Sequence, residues 1–294
     1  MVVVFALAAA VLYGSADFLG GAATRRSKAL SVAGISVPAG ALVMLLAALV
    51  AGGPVSTAGL GWAIAAGGVG AAGLIMFYTG LAVGPMSVVA PVSALMSTVL
   101  PVGVAVASGE HFSIRVYVGV AACLVAIVLV SLEGGVPGWS ARKALSLAAV
   151  RSGGQHALRG LGYGIVCGTL FGIFYLFLRN AGASGVFWPV TLARLANCAV
   201  VLTVVALARA KPVGLGDGGR VLVAAVVSGV FDASANLFYV LATRAGLFGI
   251  AIVLTALYPG ITVLLARVVL RERMHAVQRI GLLLAAVGVI LVTL

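Results

Sequence analysis

The sequence predicts an all-α polytopic membrane protein, with ten transmembrane helices arranged as a five-plus-five inverted repeat around a central cavity. Three observations predict it. The first is composition: of 294 residues, 63% are hydrophobic and 8% are charged. Soluble domains are typically about half apolar and about a quarter charged. Six acids and eighteen bases cannot cover the surface of a soluble fold this long. The same numbers exclude disorder, which needs low hydrophobicity. The second observation is a series of apolar runs of bilayer-spanning length, roughly 20 residues each. The third is a correspondence between the two halves of the chain.

The spans fall at 2–23, 30–51, 58–81, 85–107, 114–133, 160–178, 186–208, 220–242, 247–269 and 277–294. The N-terminal run lacks a basic n-region and continues past Tyr13 to Gly21, so it reads as the first span and not as a signal peptide. The long polar stretch is 134–159, a basic loop between repeats over 1–133 and 160–294. Within it, 139–150 is expected to form a short interfacial helix with Trp139 at headgroup depth.

A net charge of +12 would suggest nucleic acid in a soluble chain. Here its distribution is a topology signal. The loops after spans 1, 5, 7 and 9 hold fourteen bases, among them Arg25, Arg142, Arg151, Arg209 and Arg267. The other loops hold Arg115, Arg179 and Arg244 only. The positive-inside rule makes the first face cytoplasmic and predicts both termini outside. No nucleic-acid partner is expected.

The repeat runs from Gly84–Val130 to Gly246–Val292 at one constant offset, pairing Gly84 with Gly246, Glu110 with Glu272, Gly119 with Gly281 and Leu129 with Leu291. Phe77-Tyr78 aligns with Phe238-Tyr239 one gap earlier, Pro38 with Pro189, and Gly14-Ser15 with Gly168-Thr169. Five spans is an odd number, so the second copy is inverted. Many secondary transporters are built this way, with the site near the repeat interface. A membrane scaffold made by duplication is the plain alternative.

Small residues mark close packing. Span 6 carries Gly160, Gly164, Gly168 and Gly172 on one face, and span 1 has Ala6, Ala10 and Gly14. These read first as helix packing inside the monomer, and second as a sliding surface. Gly67, Gly68, Gly70 and Gly73 leave room for a locally unwound span 3. Cys123, Cys167 and Cys198 lie in apolar runs without metal or redox spacing and read as small packing residues.

Three charged residues fall well inside spans: Asp17, Arg194 and Asp232. Each costs about 2.5–3.5 kcal/mol at a helix centre, so each should face a partner or a wet cavity. In the repeat they align with Phe171, Val43 and Ala71, so each occurs in one copy only, as residues serving a particular substrate or coupling ion would. Asp232, Asn236 and Tyr239 share one helix face, Tyr13 and Asp17 another, and Arg194 and Asn197 a third. One arginine can neutralise one aspartate, which leaves the other as a candidate proton carrier. A permanent Arg–Asp pair that fixes helix positions is the structural alternative.

Glu110 and Glu272 follow spans 4 and 9, where each can accept hydrogen bonds from free amides at the start of the next helix. Pro91, Pro101 and Pro259 lie inside spans and free carbonyls that line a cavity or mark a hinge. His111, His156 and His275 form no metal spacing, and no nucleotide or protease motif is present. No cofactor, metal or catalytic residue is expected, and the chain is not read as an enzyme.

Ten spans, the inverted repeat and these turns make the chain resemble the EamA-type transporters of the drug/metabolite transporter superfamily over nearly its whole length. The resemblance rests on Tyr13-Gly-Ser-Ala-Asp-Phe18, Gly84-Pro-Met-Ser-Val-Val-Ala-Pro91 and Gly109-Glu110 in the first half. In the second it rests on Phe231-Asp-Ala-Ser-Ala-Asn236, Leu257-Tyr-Pro-Gly-Ile-Thr-Val-Leu-Leu-Ala266 and Arg271-Glu-Arg273. The family's usual proline in span 9 matches Pro259, while its counterpart in span 4 is Ser97 here. Many members carry their basic residues on the opposite loops, so the charge count reverses the orientation.

The resemblance implies a basket of helices around a central cavity, and secondary transport of a metabolite, amino acid or drug. Cavity candidates are Tyr13, Asp17, Phe77, Tyr78, Phe171, Asp232, Asn236, Tyr239 and Tyr258, joined by Arg194 and Asn197 from the charge argument. The expected partners are a small solute, membrane lipid and protons, in a monomer or homodimer of a bacterial-type cytoplasmic membrane. A channel and a lipid flippase are the rivals. A channel favours a ring of like residues that is not visible here, whereas a flippase can share the fold.

Overall fold

The computed structural model describes residues 1–53, 57–83, 86–131, 147–183, 185–210, 219–269 and 276–293. Among them the chain is helical throughout. In order, the helices are α1 (Val2–Thr24), α2 (Ala29–Ala51), α3 (Thr57–Val83), α4 (Met86–Ala107) and α5 (Ile114–Ser131). The second half holds α6 (Leu147–Gly182), α7 (Phe187–Leu207), α8 (Gly219–Ala245), α9 (Phe248–Thr255), α10 (Tyr258–Val269) and α11 (Ala276–Thr293). Seven spans are long and apolar enough to cross a membrane, α9 and α10 counting together as one of them. Three shorter apolar stretches, in α4, α5 and α11, complete the ten expected.

The outer surface is apolar. Val50 is 90% exposed, Leu207 80% and Leu283 70%. In water such a surface would aggregate; in a bilayer it is the lipid face. Backbone polar groups in hydrocarbon must be satisfied within the segment, which is why the chain crosses as helices.

The two halves of the chain are interleaved and do not form separate bodies. α1 packs on α8 and α10, α3 on α6 and α7, α4 on α6, and α5 on α11, each pair joining one repeat to the other. Glycines set these approaches. A Cβ on Gly164 would lie 3.1 Å from the Val89 carbonyl, one on Gly168 2.6 Å from the Ser93 carbonyl, and one on Gly172 3.0 Å from Leu100 Cδ2. The described part of the α6 ladder is therefore the surface on which α4 lies. α3 is continuous through its glycines, because Gly67 abuts α7 and Gly73 abuts Phe171. No unwinding occurs there. The cysteines are free; Cys123 and Cys167 are buried, and Cys123 packs on Gly288.

Two boundaries differ from expectation. α6 begins at Leu147, so 147–159 is helical where a loop was expected. The proposed interfacial helix lies outside the described residues except for 147–150, which form the first turn of α6. The prolines also behave differently from one another. α4 runs unbroken through Pro91 and Pro101, whereas the chain breaks between Thr255 and Tyr258, just before Pro259.

Candidate functional site

A cavity of about 1170 Å³ lies between the two repeats. α1 contributes Tyr13 and Asp17, α3 Phe77 and Tyr78, α6 Phe171, α7 Arg194 and Asn197, α8 Asp232 and Asn236, and α10 Tyr258 and Pro259. Ten of the eleven cavity candidates read from the sequence thus line one space. Tyr239 does not. It is fully buried, stacks on Tyr175 at 4.8 Å between ring centroids, and donates its hydroxyl to the Tyr175 carbonyl at 2.9 Å. Its face-sharing with Asp232 was real, but at i+7 it sits about two helical turns deeper, in the core.

At the centre is a polar network. Arg194 Nη1 donates to Asp232 Oδ2 at 2.5 Å, and Nη2 donates to the Asp232 carbonyl at 2.7 Å. Asn236 Nδ2 donates to that same carbonyl at 2.9 Å, and its Oδ1 accepts from the Tyr13 hydroxyl at 2.6 Å. The network ties α1, α7 and α8 together across the repeats. Arg194 pairs with Asp232, so Asp17 is the carboxylate left over. It lines the cavity, is exposed to it, and makes no hydrogen bond or ion pair among the described residues.

Ring contacts build the wall. Phe77 meets Tyr78 at 6.2 Å and Phe171 at 6.4 Å, Phe174 meets Tyr175 at 5.2 Å, and Tyr13 meets Tyr258 at 6.0 Å. Phe174 and Tyr175 were missed from the sequence. Their aromatic character is unremarkable in an apolar span, and only Phe171, the repeat partner of Asp17, was singled out. Ser93, Ser97, Ser228 and Thr262 also line the space and were missed. Short hydroxyls are common in membrane helices, where they bond to their own backbone, as Ser97 does to the Ala94 carbonyl.

The cavity lining reaches one face of the helix bundle. It extends to Thr24 and Arg25 at the end of α1, Ala29 at the start of α2, Arg267 near the end of α10 and Gln278 in α11. These belong to the face that carries the basic loops. At the opposite face the turn between α4 and α5 meets the start of α9. Glu110 Oε1 accepts from the Phe248 amide at 3.0 Å and Oε2 from the Gly249 amide at 2.9 Å. Arg179 lies 3.9 Å from Glu110, and its guanidinium sits 4.2 Å over the Phe248 ring. Arg244 Nη1 donates to the Gly182 carbonyl at 2.6 Å.

Glu110 therefore does accept free helix-start amides, but those of α9 in the other repeat and not those of the following helix. The physical reason is shared: the first amides of any helix lack intrahelical partners. Sequence adjacency pointed to α5, and the interleaved fold brings α9 instead. Glu272, its repeat counterpart, lies outside the described residues, and so does most of the turn around it.

Helices of spanning length, an apolar outer surface and a polar cavity between the two halves define the class: a polytopic membrane protein. Residues 158–294 match the model of the EamA-like transporter family. A solved crystal structure superposes with a TM-score of 0.77, covering 99% of this chain and 96% of that one at 17% identity. At that identity the likeness concerns the fold alone. No curated protein sequence matches the chain significantly.

Proposed function

We propose that the chain is a secondary active carrier that moves a small organic solute by alternating access. The observation that supports this reading is the asymmetry of the cavity lining: it reaches the basic face, and none of the residues of the Glu110–α9 contact at the other face belongs to it. A carrier needs a central site exposed to one side at a time, and two pseudo-equivalent halves supply the exchange between states. A channel would need continuity to both faces. By the positive-inside count the open face is cytoplasmic and the termini lie outside, in a bacterial-type inner membrane.

Protons are the proposed coupling ion and Asp17 the residue that carries them. An ionised carboxylate without a partner is costly at membrane depth, so protonation and release there would be linked to the state of the cavity. Asp232 is engaged by Arg194 and is assigned a structural part.

The test is exchange in proteoliposomes loaded with a bacterial metabolite extract. The expected result is saturable efflux of a narrow set of solutes, accelerated by the same solutes outside. Flux that never saturates and shows no such acceleration would sink the carrier. Coupling is read separately: Asp17→Asn should lose accumulation driven by a pH gradient, and full gradient-driven accumulation in the variant would overturn the assignment.

A further inference from the structure

Resting on the carrier reading for its site, we infer that the cavity takes a small organic cation, a protonated or substituted amine on an apolar or aromatic body. The charges within the membrane-spanning part of the wall are Asp17, Arg194 and Asp232. Arg194 is spent. Both terminal nitrogens donate to Asp232, and its side chain is 9% exposed. The Asp232 side chain is 40% exposed. A solute in the cavity therefore meets this pair from its carboxylate side, and no guanidinium is offered to an anion.

Asp17 adds a second carboxylate with no partner among the described residues. A cationic solute would supply the counter-charge that holds it ionised. The two remaining arginines of the lining, Arg25 and Arg267, lie at the mouth, and neither is free.

The rest of the wall suits the same ligand. Phe77, Tyr78, Phe171 and Phe174 lie around the space and present rings. Aromatic faces attract cations through their quadrupole, and more strongly where water is excluded. They also bury an apolar body, which a small inorganic cation would not need. Drug-sized ligands commonly occupy cavities of roughly 300–1,000 Å³, so the space here suffices. An anionic solute would face two carboxylates and no available donor of positive charge. A neutral solute would leave Asp17 without a counter-charge.

Binding of three matched probes to the purified protein in lipid nanodiscs tests this, by calorimetry at near-neutral pH with no gradient. The probes are phenethylammonium, phenethyl alcohol and hydrocinnamate, which share a ring and chain and differ in charge. Phenethylammonium should bind at least ~10-fold more tightly than either other probe, a difference that one well-placed ionic contact supplies. Asp17→Asn should abolish the preference, and Asp17→Glu should retain it, with unchanged thermal unfolding as the control for folding.

Equal or tighter binding of the alcohol or the carboxylate overturns the proposal. So does absence of binding by all three, or an undiminished preference in Asp17→Asn. Ammonium binding without solute exchange would keep this inference and sink the carrier. Exchange of anions alone would do the reverse.

Discussion

α4 and the pair α9–α10 occupy equivalent places in the two repeats, yet one is a continuous helix and the other is broken. At the constant offset that aligns them, Ser97 stands where the second repeat has Pro259. Ser97 keeps its amide, and its hydroxyl bonds back to the Ala94 carbonyl at 2.9 Å. Pro259 has no amide and its ring crowds the preceding turn, so α9 ends at Thr255. The chain turns through Ala256 and Leu257, and Tyr258 starts α10 with its side chain in the cavity wall. α1 closes on the break: Thr262 Oγ1 donates to the Gly14 carbonyl at 3.1 Å, and a Cβ on Gly14 would come 2.6 Å from the Tyr258 carbonyl.

Proline is not sufficient to break a span, as Pro101 shows inside α4. It packs among buried neighbours beside Gly172 of α6, and the helix runs on through it. Pro101 frees the Ser97 carbonyl and Pro259 the Thr255 carbonyl, and only at Pro259 does the helix end. The α9–α10 break sits at the cavity, where backbone can depart from the helix without facing lipid.

This contrast can be broken by exchanging its determinants. Ser97→Pro should give α4 the defect of its mate and cost about 3 kcal/mol, seen as a lowered melting temperature in detergent. The converse, Pro259→Ala, should restore an amide and raise thermal stability, while solute exchange slows because the hinge is lost. Unchanged exchange would separate the break from the transport cycle.

Gly14→Val tests the contact that braces the break. The side chain would drive into Ile261 Cβ, 2.5 Å from the glycine's ideal Cβ position, and overpacking of this kind costs about 1–3 kcal/mol.

The two ends of α9 also differ, and Glu110→Ala sharpens that difference. The start of α9 is held by a carboxylate from the other repeat, and loss of a helix cap costs about 0.5–2 kcal/mol. The larger consequence is accessibility. A cysteine at Ser97 in a cysteine-free background should become labelled from the Arg115–Arg244 face in the variant, having been reachable only from the basic face before. Labelling unaffected by the substitution would remove Glu110 from the closed end.

The smallest effect is expected at Thr255. Its hydroxyl is buried without a hydrogen-bond partner among the described residues, at the last turn before the break. Thr255→Val removes that unpaired group at equal volume and should stabilise by up to about 1 kcal/mol. A destabilised variant would mean that the hydroxyl has a partner in another state.

Much of this arrangement was legible in the linear sequence. The spans followed from apolar run length, because a bilayer sets a physical ruler. Asp17, Arg194 and Asp232 were legible because charge in hydrocarbon is too costly to be incidental. The aromatic and hydroxyl members of the wall, such as Tyr175 and Ser228, were not, because in a membrane helix those residue types are equally at home in packing. Tyr239 shows the same limit from the other side: helical periodicity gives a face but not a depth.

The sequence by itself determined the class, the ten spans and the identity of the membrane charges, since these depend on local hydropathy and on the cost of burying charge. Only the tertiary structure decided which aspartate Arg194 neutralises and which helix Glu110 caps. The first joins two helices of the second half and the second joins the two halves, across 38 and 138 residues of chain. No local pattern encodes such distances. They arise only when the helices pack against one another in three dimensions.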